Sequence, residues 1–225
     1  MGNDIVDLRA PGACGKACDA RFVQRVLTVE ERHELLRSES PDTLLWAFWA
    51  AKETAYKAVS KIYPDLSSAP GRFYVMFDSP KPGGLSGHMD GRVKTPGATA
   101  RIRVFFHENH VHCIGTTAAR NGLNEISWGV RAISPGGKNK HPHVCESAFV
   151  RKFAKERIAR HTGRHGNDIR IQRDNMAQGL GPPIVYFNGK KADLDISLSH
   201  DNRFVAFAFF ATGSIFTTPS IVTDS

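Results

Sequence analysis

Apolar positions along the chain follow two rhythms. Leu44, Phe48, Ala51, Ala55, Val59 and Ile62 recur every three or four residues, which places them on one stripe of a helix. Ser40-Pro41 can open that helix with proline in its first turn, and Pro64 ends it. Ahead of it, "DARFVQRVL" and "TVEERHELLRS" read as shorter helices. Thr28 and Glu31 have the spacing of a capping box, in which each side chain satisfies a backbone N–H of the other residue. The other rhythm is the short run bounded by Gly, Pro or Asn. "GNDIVDL" (2–8), "RFYVMFD" (72–78), "ARIRVFF" (100–106) and "VHCIGTT" (111–117) read as strands, the middle two around a Gly/Pro-rich loop.

From residue 125 the same order returns. "EISWGVRAI" reads as a strand, 144–162 as a helix and "DIRIQR" as a strand. "PIVYF-NG-KKADLDISLS" reads as a hairpin, and "HDNR" turns into the strand "FVAFAFF". Superposing "FFHENHVHCIGTT" on "LSHDNRFVAFAFF" pairs His107 with His200, Glu108 with Asp201 and Asn109 with Asn202. Lys52-Glu53 followed by Lys57 likewise matches Lys155-Glu156 followed by Arg160. A period of roughly 110 residues points to two fused copies packed about a pseudo-twofold axis. The expectation is an α+β pseudo-dimer with halves 1–120 and 121–225, each a small antiparallel sheet packed against a long helix, and a composite site between them.

Composition narrows the chemistry a little. Of 225 residues 41% are hydrophobic and 23% charged, as in an ordinary globular protein. Thirty Lys and Arg against 22 Asp and Glu give +8, which suits an anionic partner such as a nucleotide, a nucleic acid or an acidic protein. Cys14, Cys18, Cys113 and Cys145 lack zinc spacing and read as reduced thiols of a cytoplasmic protein. "MGNDIVDLR" does not read as an export signal, and "FVAFAFFATGSIF" is too short and interrupted to span a bilayer.

The differences between the copies point to where chemistry sits. The opening strand of the first carries Asp4 and Asp7, whereas "ISWGVRAI" carries no carboxylate; the second copy offers Ser197, Ser199 and His200 where the first has "VFFH". Strand alternation sends Asp4 to one face with Val6, and Asp7 to the other. Asp4 and Glu53 would make a pair of hard oxygen ligands for Mg2+, with substrate phosphates and water completing its shell. Lys57, one turn after Glu53, can reach the same phosphates, a combination suited to phosphoryl-type transfer. Taken alone, Glu53 and Lys57 also read as a solvated ion pair.

"GNDIVDL", "WAAKETAYK" and "ISLSHDNRFVAFAFF" together resemble the signature segments of the 4'-phosphopantetheinyl transferase superfamily. There a G-x-D strand, a W/F-x-x-K-E-A-x-x-K helix and an S-x-S-H turn recur in this order. The resemblance implies transfer of 4'-phosphopantetheine from coenzyme A to a serine of an apo acyl or peptidyl carrier protein, in the manner of holo-acyl-carrier-protein synthase. It implies that Asp4 and Glu53 bind Mg2+ and that Asp4, Glu53 and Lys57 form the catalytic set. The general base stays open among Glu53, Lys57 and a metal-bound water. Lys52, Lys57, Lys61, Ser199 and His200 are implied contacts to coenzyme A. Val6 stands where longer members carry a second acid, Thr54 replaces the motif's alanine, and Phe48 stands where short members often have arginine.

Other classes of reading remain. A coenzyme A or nucleotide-binding module without turnover would share the same residues. A zinc protein could use His107, His110 and His112 with His141 and His143. Nucleic-acid binding is disfavoured because the Lys and Arg residues are spread along the chain rather than gathered with aromatics.

Overall fold

The computed structural model describes residues 1–78, 87–117, 122–133, 142–176 and 179–212. In chain order the elements are β1 (Gly2–Asp7), α1 (Ala20–Val26), α2 (Val29–Leu36), α3 (Pro41–Val59), β2 (Tyr74–Phe77), β3 (Gly87–Lys94), β4 (Thr99–Phe106) and β5 (His110–Thr116). There follow β6 (Ser127–Ala132), α4 (Pro142–Thr162), β7 (Ile169–Met176), β8 (Gly179–Phe187), β9 (Lys190–Asp201) and β10 (Phe204–Ala211). The architecture is α+β, with two antiparallel five-stranded sheets and, among the described residues, four α-helices. The first sheet runs β1-β5-β4-β3-β2 and the second β6-β10-β9-β8-β7, the same order.

The helix signals act as read. Thr28 and Glu31 form the capping box of α2, and α3 starts at Pro41. Leu44, Phe48, Ala51, Ala55 and Val59 are buried against the first sheet, while Ile62 lies past the helix end and is exposed. On α4 the corresponding stripe of Val150, Phe153, Ala154 and Ile158 is buried against the second sheet. Asn188 and Gly189 join β8 to β9, both with positive φ (48° and 80°), as a two-residue hairpin turn demands.

Three expectations need correction. Part of the stretch read as a Gly/Pro-rich loop is β3, whose inward positions are Met89, Gly91 and Val93. Gly91 hides the alternation, because a Cβ there would lie 2.5 Å from the Met76 carbonyl oxygen. Ser197, Ser199 and His200 stand within β9, and the turn itself is Asn202-Arg203. Finally, the ladders shift the match between copies by one residue. Val104 faces Cys113 as Leu198 faces Phe207, so His107 corresponds to Asp201 and Phe106 to His200. Likeness of side chains had aligned the two turns out of register.

The two sheets meet along β1, which lies against β9 and β10. Ile5 packs on Phe204 and Ala206. The Asn3 backbone N–H donates to Ser197 Oγ at 2.9 Å, and its side-chain amide donates to Ser199 Oγ at 2.9 Å. Asp7 is fully buried and receives hydrogen bonds from the Arg203 guanidinium and, at 3.0 Å, from the Asn202 amide. Burial alone would raise its pKa; these donors and the Arg9 N–H bring it below the usual carboxylate value. At the corresponding contact, Trp128 of β6 meets Phe105 of β4 with ring centroids 4.3 Å apart and His112 of β5 at 5.3 Å.

Candidate active site

Placement of Asp4 begins at Gly2. A Cβ there would sit 2.1 Å from the Thr54 carbonyl oxygen of α3, so glycine lets β1 approach the helix backbone. Alternation then turns Asp4 and Val6 toward α3, and Asn3, Ile5 and Asp7 toward the second sheet, as the strand pattern predicts. Asp4 Oδ1 accepts from Lys57 Nζ at 2.7 Å, and the same ammonium donates to the Asn3 carbonyl at 3.1 Å.

Glu53 lies one turn earlier on α3. Burial, reinforced by the charge of Asp4 and opposed by Lys57, pushes its pKa up to about 7. Asp4 is also raised, chiefly by burial, although Lys57, the Ile5 N–H and His200 draw it down. The charge of Asp4 acts on Glu53, and His200 of β9 acts on Asp4. Asp4, Glu53, Lys57 and His200 therefore share one electrostatic neighbourhood.

In front of them is a cleft of about 190 Å3 whose polar lining is Lys57, Ser147, Arg151, Arg173, Ser199 and His200. Lys57 comes from α3 and the others from α4, β7 and β9. His200 Nδ1 lies 2.9 Å from Glu146 Oε2. Arg151 donates to the Ser147 carbonyl and hydroxyl. Partial burial and the like charge of Arg151 lower the pKa of Arg173. Cations of this density facing an open cleft suit a polyanionic ligand.

Lys52 is not in this set. It is fully buried on the opposite flank of α3, donating to Glu31 Oε2 at 2.6 Å and to the carbonyls of Val26 and Pro70. Burial lowers its pKa against the pull of Glu31, which also holds the Val75 N–H. Three acceptors occupy the ammonium, so Lys52 ties α3 to α2 and β2 and does not reach the cleft. Lys61 also lies off the cleft lining, donating to Asp195 Oδ1 at 2.5 Å and the Ile196 carbonyl at 2.7 Å across the junction. Lys52 is one residue, about 100° of helix rotation, from Glu53, and Lys61 lies past the end of α3, where the helix period no longer places it.

Glu146, Ser147, Arg151 and Arg173 were not expected. Arg173 carried a legible sign, since it shares a strand face with Ile169 and Ile171, an arginine on the apolar side. The α4 residues carried none, because an i,i+4 Ser147-Arg151 step is commonplace on a helix surface.

The histidines do not converge as zinc ligands. His107 and His110 stack ring on ring at 4.7 Å, and His110 also packs on Phe204. His112 is buried beside Phe105 and Trp128. Burial lowers His110 to about 4 and His112 to about 3. His141 and the side chain of His143 lie outside the described residues, among which no group of three or more His, Cys, Asp or Glu side chains is placed to hold a metal. For Mg2+ the relevant set is the pair Asp4 and Glu53. Burial raises both pKa values, the charge of Asp4 raises Glu53 further, and one ammonium answers them, which fits a hard dication that takes its remaining oxygens from phosphate and water.

A family model for the 4'-phosphopantetheinyl transferase superfamily matches residues 1–114. The chain belongs to this superfamily. The matched span runs from β1 into β5 and contains Asp4, Glu53 and Lys57, while Ser199 and His200 lie beyond it. No curated protein matches the chain. Among the described residues no helix is long and apolar enough to cross a membrane.

Proposed function

We propose that this transferase moves the 4'-phosphopantetheine arm of coenzyme A to a serine of an apo acyl or peptidyl carrier protein and releases adenosine 3',5'-bisphosphate. The observation that carries the reading is the carboxylate pair of buried Asp4 and half-buried Glu53, the latter raised to about 7, beside Lys57 at a cation-lined cleft to which both halves contribute. The halves 1–120 and 121–225 are read as a pseudo-dimer with one composite site, working in the cytoplasm as a monomer and without nucleic acid.

Asp4 and Glu53 are the residues that would hold Mg2+, which when bound supplies charge neutralisation on the pyrophosphate. Lys57, Arg151, Arg173, Ser199 and His200 hold phosphate oxygens and so fix the phosphorus in line with the incoming hydroxyl. The serine Oγ–P bond forms as the P–O bond to the adenosine phosphate breaks. The serine proton passes to Glu53, to Lys57 or to water.

The test is incubation with coenzyme A, Mg2+ and several apo carriers, followed by intact-mass measurement. A carrier gaining one phosphopantetheine, with the gain lost in Asp4→Ala, supports the reading. No gain on any carrier, while calorimetry shows coenzyme A binding, would instead make the protein a binding module.

A further inference from the structure

His200 enters the cleft from the middle of the molecule's second sheet, and one of its ring nitrogens is already engaged. Nδ1 lies 2.9 Å from Glu146 Oε2, and the Glu146 side chain is only 13% exposed. Glu146 belongs to the part of α4 that also supplies Ser147 and Arg151 to the cleft. An ionised carboxylate accepts hydrogen bonds and donates none, so the proton between these atoms belongs to the imidazole. A neutral imidazole in water carries its proton on either nitrogen; a carboxylate at Nδ1 selects one tautomer and fixes the ring plane.

We propose that Glu146 is a positioning residue: by holding the Nδ1–H of His200 it makes Nε2 the nitrogen through which the ring meets a phosphate oxygen in the cleft. The arrangement links α4 to β9 at the mouth of the site. It is specific to the second half, because Phe106, an apolar ring, stands at the position corresponding to His200. It also accounts for a carboxylate beside a cleft that is lined by Lys57, Arg151 and Arg173. The charge is spent on the histidine and not aimed at the ligand.

The inference rests on the cleft being the coenzyme A site, but its first test does not. Long-range 1H–15N spectra of the ligand-free protein, with His200 assigned from its absence in His200→Gln, report which nitrogen carries the proton once the ring is neutral. The wild type and Glu146→Gln, which keeps an acceptor at the same reach, should show Nδ1–H; Glu146→Ala should move the proton to Nε2. Persistence of Nδ1–H in folded Glu146→Ala overturns the proposal whatever the enzyme's substrate. The second test is steady-state kinetics with coenzyme A. Glu146→Ala should raise KM roughly ten-fold or more, as losses of such orienting partners do, with a much smaller change in kcat and substantial rescue in Glu146→Gln. An unchanged KM in the alanine variant, or equal damage in both variants, would also overturn it.

Discussion

The two junctions between the sheets occupy corresponding places and are built from opposite materials. Where β1 meets β9, Asn3 reaches Ser199, and Asp7 holds Arg203 and Asn202. Where β6 meets β4, the positions of Asn3 and Ser199 are taken by Trp128 and Phe105, whose tilted rings have centroids 4.3 Å apart, and the position of Asp7 by Ala132. Asp4 corresponds to Gly129, where a Cβ would already lie 2.9 Å from the Phe207 ring and 3.1 Å from that of Phe153. Aromatic carbon fills the volume that a carboxylate and its ion would need. Glu156, the counterpart of Glu53, turns instead to Arg131 at 3.2 Å on the surface. One junction carries polar groups that hydrogen-bond across it; the other buries aromatic rings at the same positions.

The sharpest way to break this contrast is to remove the acids of each half in turn. Asp4→Ala or Glu53→Gln should lower transfer roughly 1,000-fold, about 4 kcal/mol of barrier, whereas Glu156→Gln should stay within about two-fold. Comparable losses at Glu53 and Glu156, measured as kcat/KM, would mean that both junctions work. Next in size is Asp7→Ala, which strands the Arg203 guanidinium at the polar junction. A loss of about 3 kcal/mol in urea unfolding is expected, and a loss below about 1 kcal/mol would show that the polar junction is not holding the halves.

A third effect runs the other way. Because the folded protein holds a proton on Glu53 up to about 7 against 4.5 for a free glutamate, the folded state binds more protons than the unfolded one between these values. Stability from this residue is present below about pH 4.5 and is lost as pH rises through 7. Glu53→Gln should therefore raise the stability of the metal-free protein at pH 8 by about 2 kcal/mol, with the gain shrinking toward pH 5. A variant that is inactive yet no more stable at pH 8 would refute the strained-acid picture. The smallest effect belongs to Arg173→Ala, expected to raise KM for coenzyme A about ten-fold, or 1.4 kcal/mol, with kcat nearly unchanged.

Much of this was visible in local pattern. The α3 stripe, the Thr28-Glu31 cap, the Asn188-Gly189 turn and the opposite facing of Asp4 and Asp7 all follow from periods and turn chemistry that operate within a few residues. What local pattern could not supply was register and flank. His107 and His200 look alike, yet hydrogen-bond ladders place them one position apart, because a turn's side chains do not set strand pairing. Lys52 and Glu53 are neighbours in the motif, yet about 100° of helix rotation sends one to α2 and the other toward Asp4. Ser147 and Arg151 meet the cleft only through the packing of α4 on the second sheet, which no short stretch of sequence encodes.

Asn3 and Ser199 are joined by a hydrogen bond that spans 196 positions of one chain. Tethering the two sides of a site makes their encounter intramolecular, so their local concentration depends on the connecting chain and not on how much protein is in the tube. Specific activity should then hold constant over a thousand-fold dilution, where a site shared between separate chains would fall apart.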